Sequence, residues 1–529
     1  MDDSKPLLVD TGRGFSIQFQ GRWLYSRREP EAAPLAAFLA TPVRPETLYI
    51  VPSPCLCYGL RELLERLPAS SAVLCIEAEA SLRAIAEQSI AEGLPGVVLA
   101  SPHEAIAAYR SVEQRIAPAR FRRAIEVRLS GGRALHEADY DRVLAAIDAD
   151  IQIRFRNRLA LVRMGRLWTK NIIANLGSMR WESLVPLGAG GKPIVVCGAG
   201  PSLDGALPVL NRHREGLFVL ACDTASGALA RAGIIPDAVV CLEGQVYNVE
   251  DFLPLEGRPA ALVADLTAHP ASYRALPGSL SLTLSEYTDS AFLTRLAASG
   301  LPLTLVPPLG SVGVLAIRIA RLLGGPVLVA GLDFAFNQGR THCSGSPADL
   351  RARRTESRTE KRSGAWASSF REGCMRRTDG SLTDPALAMY AALAAGELRD
   401  LDAWDLRGGF GADLPLRATT PRDMELLAER KSVRGEAAQL GSRVDPDHCR
   451  ALARSFLAGE LERAENVAAA LRTLTAPERL KKLLADADFL YFHFPDPERV
   501  LALEDDALRR VAAEAAYWRG RLANALQKP

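Results

Sequence analysis

The residues with the clearest chemical meaning lie where an apolar run, Pro193-Ile-Val-Val-Cys197, breaks into Gly198-Ala-Gly200-Pro201-Ser202 ahead of Leu203 and Asp204. Glycines at 198 and 200 permit a tight turn and a close backbone approach, Pro201 suits the first turn of a helix, and the free N–H groups of that helix end attract an anion. The chemistry this suggests is a phosphate cradle. It is not a Walker A loop, since no Gly-Lys-Ser/Thr follows, and it lacks the third glycine of the dinucleotide fingerprint. An ordinary strand-to-helix turn of an α/β protein fits the same residues.

Four more blocks downstream carry polar groups at the ends of apolar runs. Asp223-Thr224-Ala-Ser226 and Glu243-Gly-Gln245 offer carboxylates and a hydroxyl for a ribose or a base edge, or equally helix caps. Gly310-Ser311-Val-Gly313 repeats the glycine-rich helix start. Gly331-Leu-Asp333-Phe and Gly339-Arg-Thr-His342 then bring an acid that positions substrate or ends the sheet, and a histidine suited to proton transfer or to a leaving phosphate. Ser202 and Ser311 have no His and acid at a recognisable spacing, so caps are the simpler reading than nucleophiles. The Asp-x-Asp sequences beginning at Asp148, Asp445 and Asp486 fall outside the sheet pattern and argue against a metal–diphosphate transferase. Seven scattered histidines without His-x-x-x-His give no expectation of a metal site built by the protein.

The elements that must position these groups alternate. Between residues 190 and about 345, short Val- and Leu-rich runs follow one another with helical stretches between, predicting a mostly parallel, doubly wound α/β sheet whose ligands sit beyond the carboxyl ends of its strands. Four segments are expected: an N-terminal α/β domain (1–138), a helical linker (139–189) rich in arginine, a nucleotide-binding domain (190–420), and a helical C-terminal domain (421–529). Within the third, 346–385 is dense in Arg, with Arg351, Arg353, Arg354, Arg358, Lys361, Arg362, Arg371, Arg376 and Arg377 around Trp366 and Phe370. It reads as a solvated loop or as a lid over an anionic ligand. In the N-terminal domain, the strand at 72–76 ends in Glu77, as in a nucleotide site. The preceding turn, Pro52-Ser-Pro-Cys-Leu-Cys-Tyr-Gly59, is too proline-rich for a cofactor cradle, so a structural or docking role is expected there.

Composition excludes several classes. At 529 residues the chain exceeds one ordinary core, and about three domains is the prior. A net charge of +2 gives no global case for nucleic acid or an acidic membrane. No run approaches the roughly 18 apolar residues of a membrane span, and Met1-Asp-Asp-Ser-Lys5 has no signal pattern. A cytoplasmic protein is expected, and nine cysteines set mostly in apolar runs agree with a reducing compartment.

The order and spacing of the five blocks, Ile194 to Asp204, Ala221 to Ala225, Gly233 to Glu243, Gly310 to Gly313 and Gly331 to His342, resemble the MptE-like domain. That domain occurs in the motility-associated factor (Maf) flagellin glycosyltransferases and in an archaeal 6-hydroxymethylpterin diphosphokinase. The resemblance implies a Rossmann-like fold similar to bacterial sialyltransferases, which use a CMP-activated nonulosonic acid and need no metal in the chemical step. Carried over by position, Gly198, Gly200, Pro201 and Ser202 would face the donor phosphate, and Asp223 and Thr224 the nucleotide. Glu243 would face the nucleotide or sugar, and Gly310, Ser311 and Gly313 the cytidine side. Glu243 stands where such sequences usually have Asp. Sialyltransferases place a His before a Thr-Asp that opens a helix. Here the stretch reads Thr378-Asp-Gly-Ser-Leu-Thr-Asp384 without one, which leaves Asp379 or His342 as the base and Asp333 as a third catalytic candidate.

Three functions follow from this reading. The first is sugar transfer from a CMP donor to Ser or Thr of flagellin or another protein, with no cofactor required. The second is ATP-dependent diphosphate transfer to a pterin, with Mg²⁺ held by Asp223, Glu243 and Asp265. The third is a non-catalytic nucleotide-binding or docking module.

Overall fold

Runs such as Ile194–Cys197 and Val327–Ala330 are apolar at every position because both faces of their sheet are covered. The computed structural model describes residues 5–94, 96–116, 121–359, 369–370, 373–429, 438–473 and 475–528. Its contacts divide the chain into two units, Met1–Ala160 and Leu161–Pro529.

The first unit opens with an antiparallel meander of Leu7–Asp10, Phe15–Phe19 and Arg22–Trp23. Then come four parallel strands, β1 (Thr47–Pro52), β2 (Ala72–Ile76), β3 (Val98–Ala100) and β4 (Arg123–Glu126), in the order β3-β2-β1-β4. After β1 the chain takes positive φ at Ser53 (48°), Cys55 (49°) and Cys57 (58°), and folds down onto the end of β2. There Glu77 accepts hydrogen bonds from Ser53 Oγ (2.8 Å) and Tyr140 Oη (3.1 Å). The acid at the strand end is thus consumed inside the unit.

A single helix, α1 (Glu137–Leu176), occupies most of the segment expected to be a helical linker and contributes residues to both units. Part of its arginine-rich face is ion-paired, Arg154 with Glu113 (2.6 Å) and Arg166 with Glu514 (3.0 Å).

In the second unit the described strands form an all-parallel nine-stranded sheet. These are β5 (Ile194–Cys197), β6 (Phe218–Cys222), β7 (Ala238–Cys241), β8 (Ala261–Asp265), β9 (Leu280–Ser285), β10 (Leu303–Val306), β11 (Val327–Ala330), β12 (Ala403–Asp405) and β13 (Arg417–Ala418). Their order is β10-β9-β8-β7-β6-β5-β11-β12-β13. The chain winds outward from β5 through β10, then returns to place β11 on the other side of β5. That reversal is the topological switch point, where doubly wound sheets open a crevice.

Side-chain alternation sends Val195, Cys197, Val219 and Ala221 to one face, against Leu203, Ala206 and Leu210 of α2 (Leu203–Arg212). Ile194, Val196, Leu220 and Val329 point to the other, against α3 (Val312–Leu323) and α4 (Pro385–Leu398). The C-terminal helices α5 (Pro446–Ala470), α6 (Pro477–Asp486) and α7 (Asp505–Leu526) share one core with β7, β8 and β9. That core joins Val239, Leu262 and Leu282 to Phe456, Leu484 and Trp518.

The last turns of α1 fix the loops that leave the sheet. Buried Asn171 Nδ2 donates to Gly244 O (2.9 Å) and Thr267 O (2.8 Å), and Asn175 Nδ2, one turn on, donates to Leu266 O and Ala268 O (both 2.9 Å). Asn175→Ala leaves two carbonyls of the β8 loop without their donor. It is expected to lower stability by about 1–2 kcal/mol in denaturant titration.

Candidate functional site

A cavity of about 430 Å³ opens at the switch point, beyond the carboxyl ends of β5, β6 and β11. Its polar wall is Thr224, Ser311, Thr341, His342, Asp333 and Asp384, and its apolar wall includes Val312, Leu332, Phe334, Phe336 and Leu387. Of the residues singled out in the sequence, it gathers Gly198, Gly200, Thr224, Ser311, Gly313, Asp333 and His342.

The glycines are there because two loops cross. Gly198 N donates to Ala330 O (2.8 Å) and Gly200 N to Gly331 O (2.7 Å), lacing the loop after β5 to the loop after β11. A Cβ at Gly198 would meet Gly331 O at 2.5 Å, and one at Gly200 would meet the same oxygen at 2.7 Å. Gly331 takes φ +66°, a conformation that disfavours side chains.

Three helix N-termini reach this edge, and their caps differ. At α2, the Asp333 carboxylate accepts from Ser202 N (2.9 Å) and from Ser202 Oγ. The anion at the opening loop is therefore one of the protein's own side chains. Pro201 and Ser202 themselves are not part of the cavity wall. At α4, Asp384 accepts from Ala386 N (3.0 Å) and Leu387 N (2.9 Å). At α3 the cap is a neutral hydroxyl, Ser311 Oγ accepting from Gly313 N (3.3 Å). Two of the three positive helix ends are thus met by carboxylates, and α3 retains its charge for a ligand. Gly310 supports this turn at φ +66° and is not in the wall.

Burial pushes the Asp333 carboxyl up to about 6, against the opposing pull of its Ser202 hydrogen bonds. His342 is pushed down, first by burial and then by Arg351, so its imidazole is neutral at physiological pH. Thr341 Oγ1 lies 2.9 Å from His342 Nδ1. The loop holding them is fastened to α2 by Arg340, which pairs with Asp204, and by Ser344 N, which donates to Asp204 Oδ1 (3.0 Å).

The remaining candidates lie apart from the cavity wall. Asp223 is buried at the end of β6. It accepts from Thr224 N (2.8 Å), Thr224 Oγ1 (3.2 Å) and Asn248 Nδ2 (3.1 Å), and burial raises it to about 6. Glu243 Oε1 accepts from Gln245 N (2.9 Å). Both Asp379 oxygens are engaged, Oδ1 by Ser381 N (3.0 Å) and Oγ (2.6 Å), and Oδ2 by Gly411 N (2.9 Å). Burial opposes ionisation of Asp379, but these bonds outweigh it and hold the carboxyl below its ordinary value. A carboxylate so placed is a turn anchor and a poor base. Asp265, the third carboxylate available to Mg²⁺, is surrounded by Thr267, Thr283 and Ser285, which supply five hydrogen bonds between 2.6 and 3.0 Å. Among the described residues no group of three His, Cys, Asp or Glu side chains forms a metal-holding cluster.

In the arginine-rich segment, Arg351 pairs with Glu250 (3.1 Å) and Arg353 with Asp349 (2.9 Å). Phe370 is exposed. Lys361, Arg362, Trp366 and Arg371 lie outside the described residues. No described helix is long and apolar enough to cross a membrane.

Residues missed in the sequence include Asp384, Phe334, Phe336 and Leu387, all in the wall. The Asp384-Pro385 helix start was available as a signal: an N-cap acid followed by proline at the first helical position.

An uncharacterized protein of Treponema pallidum (strain Nichols) is 29% identical over 550 residues, spanning 97% of this chain and 94% of its own length. A second uncharacterized protein of that strain is 28% identical over 100 residues, 18% of this chain and 48% of the other. The structure of the Maf glycosyltransferase from Magnetospirillum magneticum AMB-1 superposes with a TM-score of 0.54 at 14% identity, covering 99% of this chain and 91% of that one. A likeness at that identity is one of fold. The family model described as 6-hydroxymethylpterin diphosphokinase MptE-like matches residues 170–339, the stretch that holds β5 to β11 and most of the cavity wall. The chain therefore carries an MptE-like domain at residues 170–339, within a fold similar along nearly its whole length to that of a Maf glycosyltransferase.

Proposed function

We propose that the protein is a Maf-like glycosyltransferase that moves a nonulosonic acid from a CMP donor to Ser or Thr hydroxyls of flagellin or another protein acceptor. The observation that supports this most is the charge of the cavity: its acidic lining is Asp333 and Asp384, and its positive potential comes from the N-terminus of α3, whose cap is the neutral Ser311 hydroxyl. The two charges of a CMP-nonulosonic acid, its phosphodiester and its carboxylate, suit such a wall better than the four charges of ATP. In the proposed step the bond between the anomeric carbon and the phosphate oxygen breaks, and the phosphate leaves with the electron pair. The acceptor oxygen bonds to the anomeric carbon and its proton passes to His342. With the His342 proton on Nδ1 and donated to Thr341 Oγ1, Nε2 is the basic nitrogen.

The diphosphokinase reading is favoured by the description of the matching family model, but Asp265 is held by five internal hydrogen bonds and has no free lone pair to give Mg²⁺. Thermal-shift titration with CMP, CDP, ATP and ATP–Mg²⁺ separates the readings. Stabilisation by CMP or CDP without metal is the expected result. A response confined to ATP–Mg²⁺ would transfer the assignment to the kinase, and no response to any of the four would leave a docking module.

A further inference from the structure

A second cavity, of about 610 Å³, lies in the same unit between two neighbouring crossovers of the sheet, the β7–β8 connection and the β8–β9 connection. Val249, Phe252 and Leu253 line it from the first, Arg274 from the second, and Arg180 from the segment that follows α1. Arg180 is fixed through Nη2, which donates to Tyr273 O (3.1 Å) and Leu276 O (2.8 Å). Among the described residues neither Arg180 nor Arg274 has a carboxylate within ion-pair distance, whereas Arg295 of the same unit is held by Glu460 (2.7 Å). The one acid in the wall is Glu256, so two guanidinium groups against one carboxylate leave the cavity positive.

The cavity opens onto an apolar surface. Val246, Tyr247 and Leu253, all in the β7–β8 connection, are 62%, 52% and 59% exposed. A small anion would fill the cavity and leave these side chains in water, whereas a polypeptide lying along the connection covers them. The same connection is tied to the cavity at the switch point. From its turn Val246–Asp251, Asn248 Nδ2 donates to Asp223 (3.1 Å), the neighbour of Thr224 in that cavity's wall. Glu250 of the turn pairs with Arg351 (3.1 Å) on the helix Pro347–Thr355, which follows the His342 loop.

We propose that this groove docks the protein acceptor, through an extended segment that carries Asp or Glu among apolar residues. The proposal rests on the reading of the protein as a transferase to a protein hydroxyl. Carboxylates of the segment meet Arg180 and Arg274, the first a planar fork with its Nε and Nη1 donors uncommitted to any described carboxylate, and apolar side chains cover Val249 and Leu253. The chain then continues over Val246 and Tyr247 toward the donor cavity. Docking away from the reacting hydroxyl raises the local concentration of Ser and Thr at that cavity without adding a contact to the donor.

The test is fluorescence anisotropy with a fluorescein-labelled decapeptide of alternating Asp and Leu, and with its Asn–Leu counterpart. Wild type is expected to bind the acidic peptide about tenfold more tightly than the neutral one. Arg274→Glu, at an exposed position, should abolish that preference, and Leu253→Ser should weaken both peptides. Equal binding of the two peptides, a preference indifferent to Arg274→Glu, or no binding at all overturns the proposal. A dimer in sedimentation that Leu253→Ser dissociates would show a second copy of this chain in the groove, and overturns it too. Titration of the same proteins with CMP keeps the two readings apart, since neither variant touches the cavity at the switch point. If CMP binds and the peptide does not, the groove proposal alone falls. If the acidic peptide binds with the expected dependence on Arg274 and CMP does not bind, the transferase reading falls and the groove stands as a docking surface for acidic segments.

Discussion

Gly331→Ala is expected to cost about 2–5 kcal/mol and to abolish nucleotide binding. Two penalties add at this position. The φ of +66° charges any side chain roughly 1–2 kcal/mol. A Cβ would also be driven against Gly198 O and Leu203 Cβ (2.8 Å), in the crossing of the β5 and β11 loops, where overpacking adds about 1–3 kcal/mol. Neither contact is a flexible side-chain end, so the loops must separate, and with them the hydrogen bond from Gly200 N to Gly331 O. Gly233→Ala is the control: φ is +75° there, but a Cβ would meet nothing within 4 Å, so only the conformational cost of about 1–2 kcal/mol applies. Equal losses in denaturant titrations of the two variants would show that the loop crossing contributes nothing of its own.

The sheet was legible in the sequence because its strands are buried on both sides and so read as continuous apolar runs. The alternating runs between residues 190 and about 345 are the stretch in which β5 to β11 lie. β12 and β13 were not legible, for a physical reason: Ala403–Asp405 and Arg417–Ala418 are two or three residues long and partly polar, and they are strands only because β11 offers an edge to β12, and β12 in turn to β13. The same distinction runs through the site. Gly198, Gly200, Ser311 and Gly313 could be read because backbone turns impose local residue types. The relation of Asp333 to Ser202 could not, since those groups meet through the fold across 131 positions. Asp379 shows the converse. Its neighbourhood in sequence suggested a base, but the folded chain brings Gly411 N and Ser381 to both its oxygens and makes it part of a turn.

Asp333→Asn is expected to tighten CMP binding at pH 7.5 by tenfold or more and to leave it nearly unchanged at pH 5. The carboxylate sits on the N-terminus of α2 and lines the same cavity as Ser311, so a phosphate held at the N-terminus of α3 faces a negative charge across that cavity. At about 6 Å and an effective dielectric near 20 that repulsion amounts to roughly 2–3 kcal/mol. Asparagine keeps the fold because its carbonyl still accepts from Ser202 N and its amide donates to Ser202 Oγ. The sign with pH follows from the raised carboxyl. Its folded value of about 6 exceeds the ordinary 3.8, so in acid the group is neutral, stabilises the fold and leaves the helix end open. As pH rises through about 6 it ionises, the stability contribution is lost and the helix end closes to anions. The ratio of wild-type to variant affinity, in which the titration of CMP itself cancels, should therefore fall from pH 5 to 7.5. If Asp333 also takes part in chemistry, transfer from the CMP donor drops in the same variant that binds the nucleotide more tightly. Unchanged affinity would show that a phosphate at α3, with its neutral Ser311 cap, lies beyond the reach of the Asp333 charge, and would leave the opening glycine loop as the scaffold that holds Asp333.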